Sequence, residues 1–227
     1  MKPPTNVNYL FPGLNPGIQL TSIDTETEEW DKIERYFLTT QGATHNFNVQ
    51  LEDIIRVENP HENRPHFPGD KMLLWHGTSK RNITPIINQG LLKEKVRQSG
   101  LMFGKGLYFA DSFSKSAQYI WHGNALVTPD NYILLCEVSL GNMFIAFQSI
   151  TQSTIDMIIE NGYDSIKGSG RSCSSERDGQ LHGSTKIPSG ILRQMDHMDA
   201  AGLLYNEYIV YDDRRIKLKY VVKFKRV

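Results

Sequence analysis

The eight residues 71–78, KMLLWHGT, limit what this chain can fold into more than any other stretch. An apolar run ends abruptly in a histidine, a glycine and a hydroxyl residue, which is typical of a buried strand leaving the core beside a ligand. At such an end the His76 side chain, the Gly77 backbone and the Thr78 hydroxyl can all face one molecule. Two later stretches, residues 100–119 and 203–211, carry residues that suit the same place. We predict that the three segments form one pocket.

The apolar periodicity and the turn residues predict a mixed α+β domain with mostly antiparallel sheets. Helices are predicted over about 26–38, 78–89, 111–121 and 153–160, and strands over about 49–57, 71–75, 132–140, 143–147, 203–211 and 216–227. The first helix is expected to begin with a capping box formed by Thr25 to Glu28. Residues 92–106 and 167–190 are rich in Gly, Ser or charge and are predicted as loops, and 212–215 as a hairpin turn.

Residues 1–24 contain four prolines and lack a clear period, so an extended lead-in is expected there. The domain itself would then occupy residues 25–227.

The charge balance argues against tight nucleic-acid binding, because 25 basic groups are matched by 25 acidic groups. Lysines alternate with apolar residues in the last predicted strand, where one face would hold Lys217, Lys219, Lys223 and Lys225 and the other Ile216, Leu218, Tyr220, Val222 and Phe224. We interpret the lysines as a solvated sheet face, with a polyanion-binding stripe as the alternative.

Metal and disulfide chemistry is not expected. Cys136 lies in an apolar run and Cys173 in a Ser-rich stretch, and the chain shows neither C-x-x-C nor H-E-x-x-H spacing. Gly104-Lys105-Gly106 lacks the third glycine of a dinucleotide-binding fingerprint. No stretch approaches the roughly 18 apolar residues of a membrane span, and no secretory leader is recognisable, so an intracellular protein without membrane attachment is expected.

Several residues suggest a chemistry before any family is considered. The bare backbone of Gly77 offers an N–H and a C=O that match the two groups of a planar carboxamide. Tyr108 and Tyr119 flank a predicted helix start and could enclose one flat ring. Glu207 is the carboxylate of an otherwise apolar strand and could stabilise a cation forming at a sugar carbon. Each also has a structural interpretation: His76 as a strand-end histidine with an internal partner, the tyrosines as core residues, and Glu207 as an outward-facing carboxylate.

Three motifs together resemble the catalytic domain of poly(ADP-ribose) polymerases, within the diphtheria-toxin-like ADP-ribosyltransferases. They are LLWHGT at 73–78, MFGKGLYFAD at 102–111 followed by SKSA at 114–117, and LYNEYIVYD at 204–212. The resemblance runs from about Thr25 to the last residue. It implies the ADP-ribosyltransferase fold, with an NAD⁺ cleft between two packed sheets, and NAD⁺ as a substrate without a metal.

The resemblance implies a catalytic triad of His76, Tyr108 and Glu207. It implies an NAD⁺-binding set made of His76, Gly77, Thr78, Asn82, Tyr108, Phe109, Ala110, Lys115, Ser116, Tyr119 and Glu207. The residue matching His76 would bind the adenine-side ribose, Gly77 and Ser116 would hold the carboxamide, and Tyr108 and Tyr119 would enclose the nicotinamide. Thr78 and Asn82 match positions at the adenosine end, and Lys115 matches a lysine on the acceptor side.

The activity implied is transfer of ADP-ribose from NAD⁺ to Glu, Asp or Ser side chains of proteins, including the enzyme itself. Glu207 stands where family members confined to mono-ADP-ribosylation usually carry an apolar residue, so elongation to poly(ADP-ribose) is implied as well. Nicotinamide-mimicking inhibitors are expected to bind, although Leu92 and Leu101 replace an arginine and a tyrosine of better-known members.

DNA contact and regulation are expected only through regions outside this chain, since the upstream helical regulatory domain of DNA-break-responsive members is absent from it. Nuclear residence is implied by the resemblance alone. Two alternatives stay open: an inactive module that binds NAD⁺ or ADP-ribose, and an enzyme that modifies nucleic-acid ends.

Overall fold

The computed structural model describes residues 5–42, 48–62, 67, 69–96, 101–120, 130–174, 178–181, 184–195 and 202–227. Its strands are β1 Thr5–Asn6, β2 Gln19–Ser22, β3 Val49–Glu58, β4 Lys71–His76, β5 Leu107–Phe109, β6 Asn131–Ser139, β7 Met143–Ala146, β8 Ser165–Gly168, β9 Gly170–Ser174, β10 Asp178–Leu181, β11 Thr185–Ile187, β12 Leu192–Gln194, β13 Leu203–Tyr205, β14 Glu207–Val210 and β15 Ile216–Arg226. Its α-helices are α1 Glu28–Thr39, α2 Ile83–Gln89, α3 Phe113–Ala117 and α4 Gln152–Glu160. Short 3₁₀ turns cover Asn8–Leu10, Lys80–Asn82, Lys93–Lys95 and Asp213–Arg215. Gly100 and residue 121, the predicted end of the third helix, lie outside the described residues.

The strands form three sheets within the described part of the chain. The main sheet has the order β1-β2-β3-β15-β6-β4-β11-β10, the second sheet β5-β14-β8-β7, and a small third sheet β12-β9-β13. Neighbouring strands are antiparallel except β4 with β11, β7 with β8 and β9 with β13. The predicted α+β class with mostly antiparallel sheets is confirmed, but the third sheet was not predicted. The described part of the lead-in adds strands β1 and β2 to the main sheet.

Apolar side chains on both faces of the main sheet form two separate cores. One core lies on the face that also packs against β5 and β14, and its members include Leu74, Phe109, Leu134, Val210 and Val221. The other lies under α1 and includes Phe37, Trp75, Phe113, Tyr220 and Phe224. A third, smaller core lies between the second sheet and α4 and includes Phe103, Ile155, Ile166 and Ile209. Burial on both faces fixes the register of the central strands, because a slip of one residue would exchange the two cores.

The predicted loop over residues 167–190 is wrong. Strands β9, β10 and β11 and the second half of β8 lie there, and they pair with strands that are distant in sequence, such as β13, β14 and β4. These strands are short, and their many Ser and Gly residues show no alternation of apolar side chains. The pairing that forms them is therefore a tertiary effect, which local periodicity cannot reveal.

The predicted hairpin at 212–215 is also wrong, since β14 belongs to the second sheet and β15 to the main sheet. The connection is a 3₁₀ turn in which the Asp212 carboxylate accepts a hydrogen bond from the Arg214 N–H at 3.0 Å. The strand predicted over 203–211 is interrupted at Asn206, where its two halves join different sheets. A turn-like sequence thus marks a change of sheet.

The ends of two helices differ from the prediction. Helix α1 is capped by Thr27, whose hydroxyl accepts a hydrogen bond from the Trp30 N–H at 3.2 Å, and not by Thr25. This cap places three acidic residues in the first turn, where the helix dipole favours them. Helix α3 ends at Ala117, and the Tyr119 N–H bonds back to the Ser116 carbonyl at 3.1 Å, so Tyr119 lies in a turn beyond the helix.

The lysines of β15 do not share one face. The register of β15 shifts between Leu218 and Tyr220 opposite β6, and again between Lys223 and Phe224 opposite β3. As a result Leu218 packs in the core beside β5, whereas Tyr220 packs in the core under α1. An extra residue in a strand reverses the sheet face toward which the side chains after it point. The single alternating pattern predicted for this strand is therefore wrong.

Both cysteines are free thiols, Cys136 buried and Cys173 partly exposed. Of the helices in the described ranges, none has the length and apolar character needed to cross a membrane.

Candidate active site

His76 lies at the end of β4 and is fixed by the next strand of the site. Its Nδ1 is 2.8 Å from the carbonyl oxygen of Tyr108, and its ring packs 5.4 Å from the ring of Phe109. A carbonyl can only accept, so Nδ1 must carry the proton and donate it. Burial lowers the pKa of His76, and the hydrogen bond to Tyr108 offsets this only in part. The imidazole is therefore neutral at pH 7, with Nε2 left as an acceptor.

Gly77 lies directly against helix α3. A β-carbon added at this position would overlap the carbonyl oxygen of Ser116 and would also touch the β-carbon of Tyr119. The Ser116 hydroxyl is buried and donates to the carbonyl of Trp75 at 2.9 Å. The peptide backbone at Gly77 is thus bare and held close to a hydroxyl oxygen that keeps its lone pairs for another donor.

Tyr108 in β5 has both functions of its phenol engaged within the protein. The hydroxyl donates to the Gly104 carbonyl at 2.9 Å and accepts from the Phe103 N–H at 3.0 Å. Burial holds the pKa of Tyr108 well above its usual range, and the charge of Glu207 adds to the effect. The ring is therefore held rigidly, and it can contribute a flat surface rather than a proton.

Glu207, the first residue of β14, is buried with 5% of its surface exposed. Its carboxylate pairs with the ammonium of Lys115 in α3, with Oε1 and Nζ 2.6 Å apart. Burial alone lowers the pKa of Lys115, but the charge of Glu207 and the hydrogen bond to it outweigh burial and raise the pKa. The interpretation of Glu207 as an outward-facing carboxylate is wrong, because the side chain lies inside the cluster.

The other predicted site residues take less uniform positions. Tyr119 is 42% exposed, and the Lys115 ammonium lies 5.6 Å from the centre of its ring. Thr78 and Asn82 bond to each other at the surface, with Asn82 Nδ2 donating to Thr78 Oγ1 at 3.0 Å. Phe109 and Ala110 are buried among protein atoms, and Ala110 exchanges backbone hydrogen bonds of 2.9 and 3.0 Å with Trp75. That exchange joins β4 to β5 and so sets His76 beside Tyr108.

Two polar residues that sequence reasoning left out support this cluster. The carboxylate of Asp111 is buried and accepts from Asn206 Nδ2 at 2.7 Å and from the Tyr208 hydroxyl at 3.1 Å. Burial raises the pKa of Asp111. Its sequence signal was a carboxylate at the end of the apolar motif 102–111. Asn206 and Tyr208 flank Glu207, so Asp111 holds the backbone on both sides of it.

Two cavities of about 480 and 490 Å³ are lined by other residues. The first borders Tyr205, two residues before Glu207. No cluster of three or more His, Cys, Asp and Glu side chains suited to a metal occurs in the ranges that the structure describes.

The fold and the cluster together define an α+β domain of the ADP-ribosyltransferase type. A family model described as the poly(ADP-ribose) polymerase catalytic domain matches residues 27–226. The chain is 39% identical over 211 residues to poly(ADP-ribose) polymerase 1 of Caenorhabditis elegans, which covers 87% of this chain and 21% of that protein. It is 36% identical over 232 residues to poly(ADP-ribose) polymerase 1 of Danio rerio, and this match covers 99% of this chain and 22% of that protein. It is 34% identical over 229 residues to poly(ADP-ribose) polymerase 2 of Arabidopsis thaliana, and this match covers 96% of this chain and 34% of that protein.

The chain belongs to the family of poly(ADP-ribose) polymerase catalytic domains. The predicted family and the enzyme class, an NAD⁺ ADP-ribosyltransferase, are thereby confirmed. The chain spans about a fifth to a third of the length of these relatives.

Proposed function

We propose that this domain cleaves the bond between nicotinamide and ribose in NAD⁺ and transfers ADP-ribose to protein side chains, then extends the product into poly(ADP-ribose). One observation carries the proposal. The buried carboxylate of Glu207 lies 2.6 Å from the Lys115 ammonium and close enough to Tyr108 to act on its pKa. A fixed anion in such a dry, enclosed place stabilises a forming cation far better than it would in water.

The nicotinamide end is held by the bare backbone of Gly77 and by two rings. The Gly77 N–H donates to the carboxamide oxygen, and its C=O accepts from the carboxamide nitrogen, with the Ser116 oxygen as a second acceptor. The ring of Tyr108, whose hydroxyl is already engaged, forms a rigid wall, and the exposed Tyr119 forms the wall on the solvent side. Each stacked ring contributes about 1–3 kcal/mol.

The adenosine end is held by His76, Thr78 and Asn82. Because His76 is neutral with its proton on Nδ1, its Nε2 accepts a hydrogen bond from a ribose hydroxyl. Phe109 and Ala110 act indirectly, by keeping β5 against β4.

In the reaction the C–N bond breaks and its electron pair passes to the pyridinium nitrogen, which leaves as neutral nicotinamide. Positive charge appears on the ribose, and Glu207 stabilises it. The acceptor oxygen then bonds to the ribose carbon. A carboxylate acceptor has no proton to lose, whereas a serine or sugar hydroxyl passes its proton to Glu207. Lys115 holds the carboxylate of Glu207 in place until the substrate cation replaces it as partner.

Acceptors are Glu, Asp or Ser side chains of other proteins and of the enzyme itself. The enzyme acts in the nucleus. DNA acts only through regions outside this chain. These points rest on the family resemblance. Adding broken DNA to this domain should therefore leave its rate unchanged.

The test is incubation with labelled NAD⁺, followed by separation of the modified protein and measurement of released nicotinamide. Glu207→Gln should lower the rate roughly 10² to 10³-fold and shorten the chains even more. Glu160→Gln, the same change at the exposed end of α4, serves as the matched control and should leave both unchanged. If Glu207→Gln made chains of the same length and at the same rate as the parent, the role of Glu207 would be refuted. A parent protein that neither takes up label nor releases nicotinamide would support the alternative of an inactive binding module.

A further inference from the structure

A concave surface lies away from the triad, where β2 begins and β3 ends beside the start of β15. It encloses a cavity of about 490 Å³ whose lining residues are Gly17, Gln19, Arg56, Val57, Glu58, Asn59, Pro60, Lys217 and Lys219. Three of these residues are cationic and one, Glu58, is acidic. We call this cavity the basic pocket. Its volume falls within the range of roughly 300–1,000 Å³ that is usual for sites of small ligands.

The protein neutralises the positive charge of the pocket only in part, since Glu29 binds Arg56 and Glu58 is one of the lining residues. Lys219 is half-buried, and neither Lys219 nor Lys217 forms an ion pair within the described part of the chain. Burial lowers the pKa of Lys219 despite the attraction of Glu137 and Glu29. A half-buried ammonium without a hydrogen-bonded anion is costly, so its retention favours a ligand that supplies the anion.

The two carboxylates that attract Lys219 are already engaged elsewhere. Glu29 binds the guanidinium of Arg56 and accepts from the Tyr220 hydroxyl. Glu137 accepts from the Thr185 hydroxyl and lies 3.9 Å from the ammonium of Lys71. Neither carboxylate is therefore available to neutralise the lysines.

The pocket is independent of the candidate active site. Lys217 and Lys219 lie on the α1 face of the main sheet, because Leu218 between them packs in the opposite core. His76 lies on that opposite face, since its neighbour Trp75 packs under α1. Two strand spacings separate β15 from β4 as well. A ligand in the basic pocket would not touch the triad.

We propose that the basic pocket binds the phosphate groups of a small phosphorylated ligand of nucleotide size. Lys217 and Lys219 supply point charges on the same side, and Arg56, bound to Glu29 through Nη2, presents the other N–H donors of its planar guanidinium to phosphate oxygens. Glu58 and Gln19 also line the pocket and are exposed. A phosphate ligand accounts for the half-buried Lys219, which a solvated sheet face does not explain.

The experiment uses the chain as it stands and three probes in turn: inorganic phosphate, inorganic pyrophosphate and ADP. Binding is followed by two-dimensional NMR through the backbone amides of Val57, Lys217 and Lys219, which separates this pocket from the NAD⁺ cleft. We expect saturable shifts at these amides, with pyrophosphate half-saturating at about 1 mM or below. Stronger binding of ADP would identify a nucleotide, and equal binding of ADP and pyrophosphate a simple diphosphate.

The variant Lys219→Met removes the charge and keeps the aliphatic stem. It should weaken pyrophosphate binding about tenfold or more, as expected for the loss of a hydrogen bond between charged groups. Lys225→Met is the matched control, the same change on the same strand, where Lys225 instead lies 3.7 Å from Glu52. This control should bind as the parent does, and both variants should keep the parent rate of automodification. The proposal is overturned if no amide shift saturates with any of the three probes, or if Lys219→Met binds pyrophosphate as tightly as the parent.

Discussion

Asn206 connects the carboxylate of Asp111 to the strand that carries the candidate catalytic glutamate. Its Nδ2 donates to Asp111 Oδ2 at 2.7 Å, and its Oδ1 accepts from the Gly170 N–H at 2.9 Å. Asn206 lies at the break between β13 and β14, so this one side chain joins the two strands to β9 and to the end of β5. Glu207 follows directly and takes its position from this junction.

Asn206→Ala should disturb both stability and catalysis. The change removes one of the two side-chain donors to the buried Asp111 carboxylate and leaves the buried Gly170 N–H without its partner, and the unpaired N–H alone costs roughly 1–3 kcal/mol. Chemical denaturation will measure the loss of stability, and turnover of NAD⁺ the loss of rate. The control is Asn161→Ala, which removes an exposed amide bonded only to the end of α4. Similar stability of the two variants would contradict the role assigned to Asn206.

Lys115→Met should lower activity and destabilise the domain together. Removing the ammonium leaves the buried Glu207 without its counter-charge, at a cost of roughly 1–3 kcal/mol. The carboxylate of Glu207 also loses the group that fixes its position, so the rate should fall at every pH. The matched control Lys32→Met breaks a pair with the exposed Glu28, which contributes little. A variant with the parent's rate and stability would show that Lys115 does not hold the carboxylate of Glu207 in place.

Gly77→Ala should abolish NAD⁺ turnover. The added methyl group meets the Ser116 carbonyl, a backbone atom that cannot turn away, so β4 and α3 must move apart. Gly202→Ala is the matched control, because its nearest neighbour is the Met102 side chain at 3.5 Å. Retained NAD⁺ binding by Gly77→Ala, measured by calorimetry, would show that the backbone of Gly77 is not at the ligand.

The KM for NAD⁺ should depend on the charge of His76. Its pKa lies below the ordinary value of 6.5, so the neutral form persists through neutral pH. The contribution of the neutral His76 to the stability of the fold is complete above pH 6.5 and is lost as pH falls through the lowered pKa. A proton on Nε2 would turn the acceptor into a donor, and KM should rise only as pH falls below the ordinary value of 6.5. His76→Gln, which does not titrate, should show a higher KM with no such rise, in initial-rate measurements from about pH 5 to 8.

Much of the core scaffold could be predicted from local patterns. Strand β4 was predicted because its apolar run ends abruptly at polar residues. The end of α4 was predicted because a glycine, Gly162, follows it, and in the structure this glycine has a positive φ of 85°. The three site segments lie together as expected, since each contains an apolar strand whose end carries the polar residues. These features are local and leave a direct mark on the sequence.

The features that could not be predicted depend on contacts between distant residues. Asp111 and Asn206 are 95 residues apart, and nothing near either one indicates the partner. The same holds for β9 to β11, whose short polar sequences become strands only against partners already in place. The face change at Lys219 depends on a register shift that the sequence of β15 alone does not show.

Strand β15 is the last strand in sequence and lies between β3 and β6, near the middle of the largest sheet. It also supplies side chains to both large cores. During synthesis the earlier strands therefore leave the ribosome with a gap between them that no other described segment fills. The two halves of the sheet must stay apart, with apolar faces uncovered, until the final strand emerges. Folding of this domain is for that reason completed only once residues 216–226 have left the ribosome, and the waiting nascent chain is a natural client for chaperones.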